Sequence, residues 1–183
     1  MPDVTAESRD CDVTLRERSP DRNELRSEFA AFYEDAYPRL VSQVRAIIGD
    51  PAAAPEAVQH AMARAWIQWR RLRHLDDSSG WVRRAALRNP RPQWRFRRLA
   101  VRPRLSEDEL ASMDSQHLAV LYALLQQPET ERRSLVLRYM AGMSVASIAE
   151  EEGVAMDTIL ARIRRGGAAV AELLVDEGDG DKR

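Results

Sequence analysis

Cysteine and lysine are nearly missing from this chain of 183 residues: Cys11 and Lys182 are the only ones. A single cysteine excludes an intrachain disulfide and a thiolate metal cluster. His60, His74 and His117 stand far apart without ligand spacing. No Gly-rich phosphate loop, nucleophile elbow or HExxH pair occurs, so no catalytic constellation is available and neither an enzyme, a cofactor nor a metal site is expected. No run approaches the ~20 apolar residues that a membrane span needs. Met1 to Asp12 carries acids and no apolar stretch, so a signal peptide is not expected and a cytoplasmic location is. Strand-like alternation is absent too, which leaves an all-α fold.

Charge is plentiful but unevenly placed. The formal net charge is -1. Between Arg64 and Arg104, however, thirteen arginines face only Asp76 and Asp77, giving 13 − 2 = +11. Residues 1–24 carry seven acids against four arginines, and residues 105–161 carry ten acids against three arginines. A local excess of that size is the footprint of a polyanion partner.

Residues 1–23 are polar, mixed in charge and without period, which predicts a disordered arm. From Glu24 onward Leu25, Phe29, Phe32, Tyr33, Ala36, Leu40, Val44, Ile47 and Ile48 recur at helical spacing. Pro38 predicts a kink or a junction of two helices there. Gly49 and Asp50 predict a stop followed by the next cap. A second helix is expected over about 53–73, with Val58, Met62, Ala65, Trp66, Trp69 and Leu72 as its core stripe. Asp76 to Gly80 reads as a turn and cap that launches an amphipathic helix through Asn89, with its arginines facing outward. Pro90 and Pro92 then break regular structure. Trp94 and Phe96 alternate with Arg95, Arg97 and Arg98. Such a stretch suits stacking on unpaired bases while neutralising phosphates, or equally a solvated helix with its two rings tucked onto the core. Residues 101–115 read as a flexible linker, and the charge reversal near residue 100 as a domain boundary. Helices resume at about 116–127 and from Pro128 to Tyr139 or Met140.

Ser144 to Arg165 has the form of a helix-turn-helix. Ser144 can cap the first helix, and Gly153 can take the left-handed turn after it. Asp157 can cap the second helix, and Ile159 and Ile163 can hold it inward. Thr158, Leu160, Ala161, Arg162, Arg164 and Arg165 remain to meet a partner. On spacing alone this is a DNA reader or a plain helical hairpin. Gly166-Gly167 should weaken the last helix, which can resume through Leu173-Leu174 before an acidic tail over 176–183.

In order and spacing these segments resemble the extracytoplasmic-function (ECF) sigma factors of bacterial RNA polymerase. Phe32-Tyr33, Tyr37 to Val41, and Gly49-Asp50 resemble the start of that family's region 2. Glu56 to Gln59 with Ala63 to Trp66 resembles its polymerase-binding helix. Gly80 to Ala85, Asn89 and Trp94-Arg95 resemble the strand-opening, −10-reading segment. Leu135 to Tyr139, Gly142 to Val145, Ile148-Ala149, Gly153-Val154 and Thr158-Ile159 resemble region 4. The resemblance implies two small helical modules, 24–100 and 116–175, and a sigma factor that directs promoter recognition. It implies as partners core RNA polymerase (the clamp of the largest subunit and the flap region), promoter DNA and a possible anti-sigma factor. Polymerase contacts would fall on Glu56, Gln59, His60, Ala63 and Arg64. The −10 and melting contacts would fall on Trp81, Arg83, Arg84, Arg88, Asn89, Trp94, Arg95, Arg97 and Arg98. The −35 contacts would fall on Thr158, Leu160, Ala161, Arg162, Arg164 and Arg165.

The chain departs from the family pattern at several places. Ala54-Pro55-Glu56 offers one acid where two are usual, and His60 stands where glutamate is common. Pro90-Arg91-Pro92 follows Asn89. Leu160-Ala161 replaces a polar pair, and Glu152 replaces an apolar residue before the turn glycine. These changes motivate an alternative: a divergent sigma-like regulator that binds polymerase or a partner with weak or altered −35 reading. A dimeric helix-turn-helix repressor would leave the arginine-aromatic block unexplained.

Overall fold

The first described helix is also the longest, because its apolar residues return every three or four positions for more than seven turns. In the structure, a computed structural model that describes residues 21–88 and 115–180, α1 spans Arg22–Ile48. It runs unbroken through Pro38, so two separate helices do not form there. Ala36 and Leu40, each 1% exposed, seat the helix on the core on both sides of the proline. The missing amide therefore costs one hydrogen bond without ending the helix.

Asp50 begins the next element as its composition suggested: Oδ1 accepts from the N–H groups of Ala52 and Ala53 at 3.0 and 3.1 Å. Helix α2 covers Ala53–Ile67, and a short α3, Trp69–Leu72, follows after a break at Gln68. Helix α4 covers Ser78–Arg88. Asp77 Oδ1 accepts from Gly80 N at 2.6 Å, which makes Asp77 the capping residue. Leu40, Val44, Val58, Met62, Trp69, Leu72 and Val82 close the core of this N-terminal part. The Phe29 and Phe32 rings lie 5.1 and 4.9 Å from that of Trp69. Trp66, expected in the same stripe, is 39% exposed. Its ring lies 5.2 Å from that of Phe29, tilted by 50°.

The C-terminal part contains α5 (Ser115–Leu125), α6 (Glu129–Leu135), a π-helical turn (Val136–Met140), α7 (Val145–Glu152) and α8 (Met156–Gly180). Eight α-helices and no strand occur among the described residues. Helix α8 runs unbroken through Gly166-Gly167. A side-chain carbon at Gly166 would stand 2.9 Å from Leu135 Cδ1, so the glycine is what lets α8 cross α6 closely. Packing against α6 supplies what the local propensity lacks. Asp157 lies inside the first turn of α8 rather than capping it, where its charge still suits the helix dipole.

The two parts share a core. Ala46 and Ile47, at the end of α1, are buried with Leu121, Val136, Leu137, Ile148 and Ile159 of the C-terminal part. Polar contacts cross the same seam. Gln43 Nε2 donates to the Met140 carbonyl at 3.1 Å, and Arg132 Nε donates to the Ile47 carbonyl at 3.1 Å. No helix in the described residues is long and apolar enough to cross a membrane.

Candidate polymerase and nucleic-acid interfaces

Three surfaces carry the residues that the sequence singled out, and each is built differently. On α2, Val58, Ala61, Met62 and Ala65 face the core, which turns Glu56, Gln59, His60, Ala63 and Arg64 outward. All five are exposed and share one side of the helix. The guanidinium of Arg64 lies 6.0 Å from the centre of the Trp81 ring, joining this face to α4.

On α4 the arginines divide. Arg88 is exposed and Arg84 partly so, but Arg83 is only 3% exposed. The expectation that every arginine of this helix faces outward therefore fails at Arg83. Its side chain points into the seam between the two parts. There Nη2 donates to Met143 Sδ at 2.9 Å, and Nη1 reaches Gln43 Oε1 at 3.4 Å. Glu151 Oε2 lies 3.7 Å away and Asp77 Oδ2 3.9 Å away. Glu151, its side chain 4% exposed, also accepts from Arg84 Nη1 at 3.3 Å. Charge attraction supports the burial of Arg83, because a buried cation without an anion beside it is strongly unfavourable. Asn89, Trp94, Arg95, Arg97 and Arg98 lie outside the described residues.

The helix-turn-helix forms with the first cap and the turn that its sequence signals. Ser144 Oγ accepts from Ser147 N at 3.0 Å, and Gly153 takes φ 67°. That angle is open to glycine at little cost. Ile148 and Ile159 are fully buried between α7 and α8. Of the outward candidates on α8, Thr158, Leu160, Arg164 and Arg165 are exposed, and Ala161 and Arg162 are half-buried. Two of the three arginines are tied to acids. Arg162 donates to Glu152 Oε2, and Arg165 donates to Glu131 Oε1 at 3.0 Å. Hydrogen bonds from Thr130 and Arg165 hold the Glu131 carboxyl below the usual carboxylate range. Burial, then the neighbouring Tyr37, pushes the Tyr33 phenol upward.

Arg133 and Glu151, which the sequence did not single out, complete the picture together with Glu152, which it did. Arg133 on α6 stands 3.5 Å from both Glu151 and Glu152. A chain of charges thus runs from Arg83 and Arg84 through Glu151, Arg133 and Glu152 to Arg162. The available signal was the acidic run Glu150-Glu151-Glu152 in a helix-turn-helix, together with Gln43 interrupting the apolar stripe of α1.

No protein-family model matches the chain. It is 27% identical over 153 residues to the RNA polymerase sigma-E factor of Streptomyces coelicolor, covering 81% of this chain and 86% of that protein. To the sigma-E factor of Streptomyces avermitilis it is 25% identical over 152 residues, covering 80% and 85%. Its fold matches the sigma factor RpoE of Bartonella quintana, solved with the anti-sigma factor NepR, at a TM-score of 0.65 and 20% identity. That match covers 81% of this chain and 97% of the other. The chain thus has distant homology to the RNA polymerase sigma-E factors, which are of the ECF type, and a fold that matches that of a sigma factor.

Proposed function

We propose that this protein binds core RNA polymerase through the outer face of α2 and carries promoter recognition with its two helical parts. The observation that carries this is the alignment of Glu56, Gln59, His60, Ala63 and Arg64 on one exposed face, opposite a fully apolar stripe. Docking on the polymerase clamp would use that face, and the C-terminal part would meet the flap region. Residues 24–100 would form the unit that reads and melts the −10 element, using Trp81, Arg83, Arg84, Arg88, Asn89, Trp94, Arg95, Arg97 and Arg98. Unit 116–175 would place α8 in the −35 major groove. An anti-sigma partner, as found with the Bartonella quintana protein, and work in the cytoplasm belong to the same proposal.

The decisive experiment adds the purified protein to core polymerase on genomic promoter fragments. Discrete promoter-dependent transcripts are expected, and silence on every fragment refutes the proposal. Arg84→Ala should lower the slope of log affinity against log salt by ~0.9 if Arg84 holds one phosphate.

The pairing of Arg162 with Glu152 and of Arg165 with Glu131 favours a second reading, in which −35 contact is weak or altered. Thr158, Leu160, Ala161 and Arg164 then carry what upstream contact there is, with Leu160 and Ala161 offering only apolar contact to a thymine methyl. Footprints protected around −10 but not around −35 would select this reading.

A further inference from the structure

The seam between the two parts buries a residue that the proposed function needs at the surface. Arg83 is 3% exposed and enclosed by Gln43, Met143, Asp77 and Glu151, so in this arrangement it cannot reach a phosphate. Glu151 comes from α7, the first helix of the helix-turn-helix, and engages both Arg83 and Arg84 on α4. Arg133 stands on its other side, 3.5 Å from Oε1. That distance exceeds a hydrogen bond, and Oε1 has no hydrogen-bond partner. The contact there is charge attraction alone. Around this one carboxylate stand three arginines from two helical parts.

We propose that Glu151 is an intramolecular latch. It occupies, as an internal anion, the arginines that would otherwise hold promoter phosphates, and keeps the protein closed until it is displaced. Arg83 and Arg84 can pair with Glu151 or with DNA, not with both. The Arg162–Glu152 pair lies within the helix-turn-helix and does not cross the seam, so it orients the −35 surface without closing the molecule. The latch rests on the proposed function, because it assigns Arg83 and Arg84 to DNA.

The test uses the full chain with Cys11→Ser and spin labels on cysteines introduced by Gln68→Cys and Glu172→Cys, one in each part. Free protein should show one short inter-label distance, and holoenzyme on promoter DNA a longer one. Glu151→Gln keeps the shape and removes the charge. It should raise the long-distance fraction of free protein at least fivefold. The protein concentration for half-maximal transcription should fall by a similar factor, because apparent affinity scales with the competent fraction. If circular dichroism shows that Glu151→Gln does not fold, Glu151→Asp takes its place: it keeps the charge but draws it back from α4, with a smaller shift in the same direction. Unchanged distances in a folded variant that still transcribes refute the latch and leave the function standing. Longer distances with no gain in transcription refute the contact as inhibitory. Absence of promoter-dependent transcripts from wild type and variant alike refutes the function, and the latch with it.

Discussion

The outer face of α2 and the inner face of α4 come from the same helical part and carry similar residue types, yet they are presented in opposite ways. On α2 the polar residues stand in solvent over an apolar underside. On α4 the central arginine is buried against another part of the chain. The difference teaches that composition locates a charged surface but does not say whether that surface is open. The face proposed for polymerase is open along its length, whereas the one proposed for DNA exposes Arg88 and keeps Arg83 covered.

The contrast breaks most visibly at the seam itself. Ile47→Ala should cost ~2–5 kcal/mol in urea denaturation, because this α1 side chain is 2% exposed among side chains of the other part. A cost below ~0.5 kcal/mol would mean that the parts are not packed together in solution. Gly166→Ala probes packing inside one part instead, since a carbon 2.9 Å from Leu135 Cδ1 and 3.1 Å from Glu131 Cβ makes α6 side chains shift or the two helices part. The expected loss is ~1–3 kcal/mol, read by the same method. On the open face, Glu56→Ala with Gln59→Ala should leave stability within ~0.5 kcal/mol. The pair should weaken polymerase binding about tenfold, measured by competition for core enzyme; full binding would remove this face from the interface. Ser144→Ala should cost ~1 kcal/mol through the lost cap, wherever the two parts stand. The smallest effect concerns acid. The depressed Glu131 carboxyl contributes stability above the unfolded pKa and loses it as pH falls through its folded value. Glu131→Gln should therefore narrow the difference in denaturation midpoint between neutral and acid pH.

Much of the fold was legible because each helix end carries its own chemical signal. Asp50, Asp77, Ser144 and Gly153 act locally, and they act here as their residue types suggest. Pro38 and Gly166 misled for one shared reason: local propensity yields to burial on both sides of the residue. The outward face of α2 followed from the 3.6-residue period. Burial of Arg83 did not, because its partner Glu151 lies 68 positions away in sequence and no period connects them. The same holds for Arg165, whose exposure matched expectation while its pairing with Glu131 came from a crossing of α6 and α8.

Helix α1 ends in the other part's core, and that fixes the terms on which the molecule can open. Ala46 and Ile47 would be uncovered together with Leu121, Val136 and Leu137. Re-wetting one large aliphatic side chain costs ~1.5–3 kcal/mol. Any surface that holds the protein open must therefore offer more than charges for the freed arginines: it must bring an apolar seat for the tip of α1. A fragment cut at residue 100 would carry that tip bare into solution, and self-association would be its expected behaviour. The apolar tip of α1 is thus as much a part of the seam as the arginines and acids beside it.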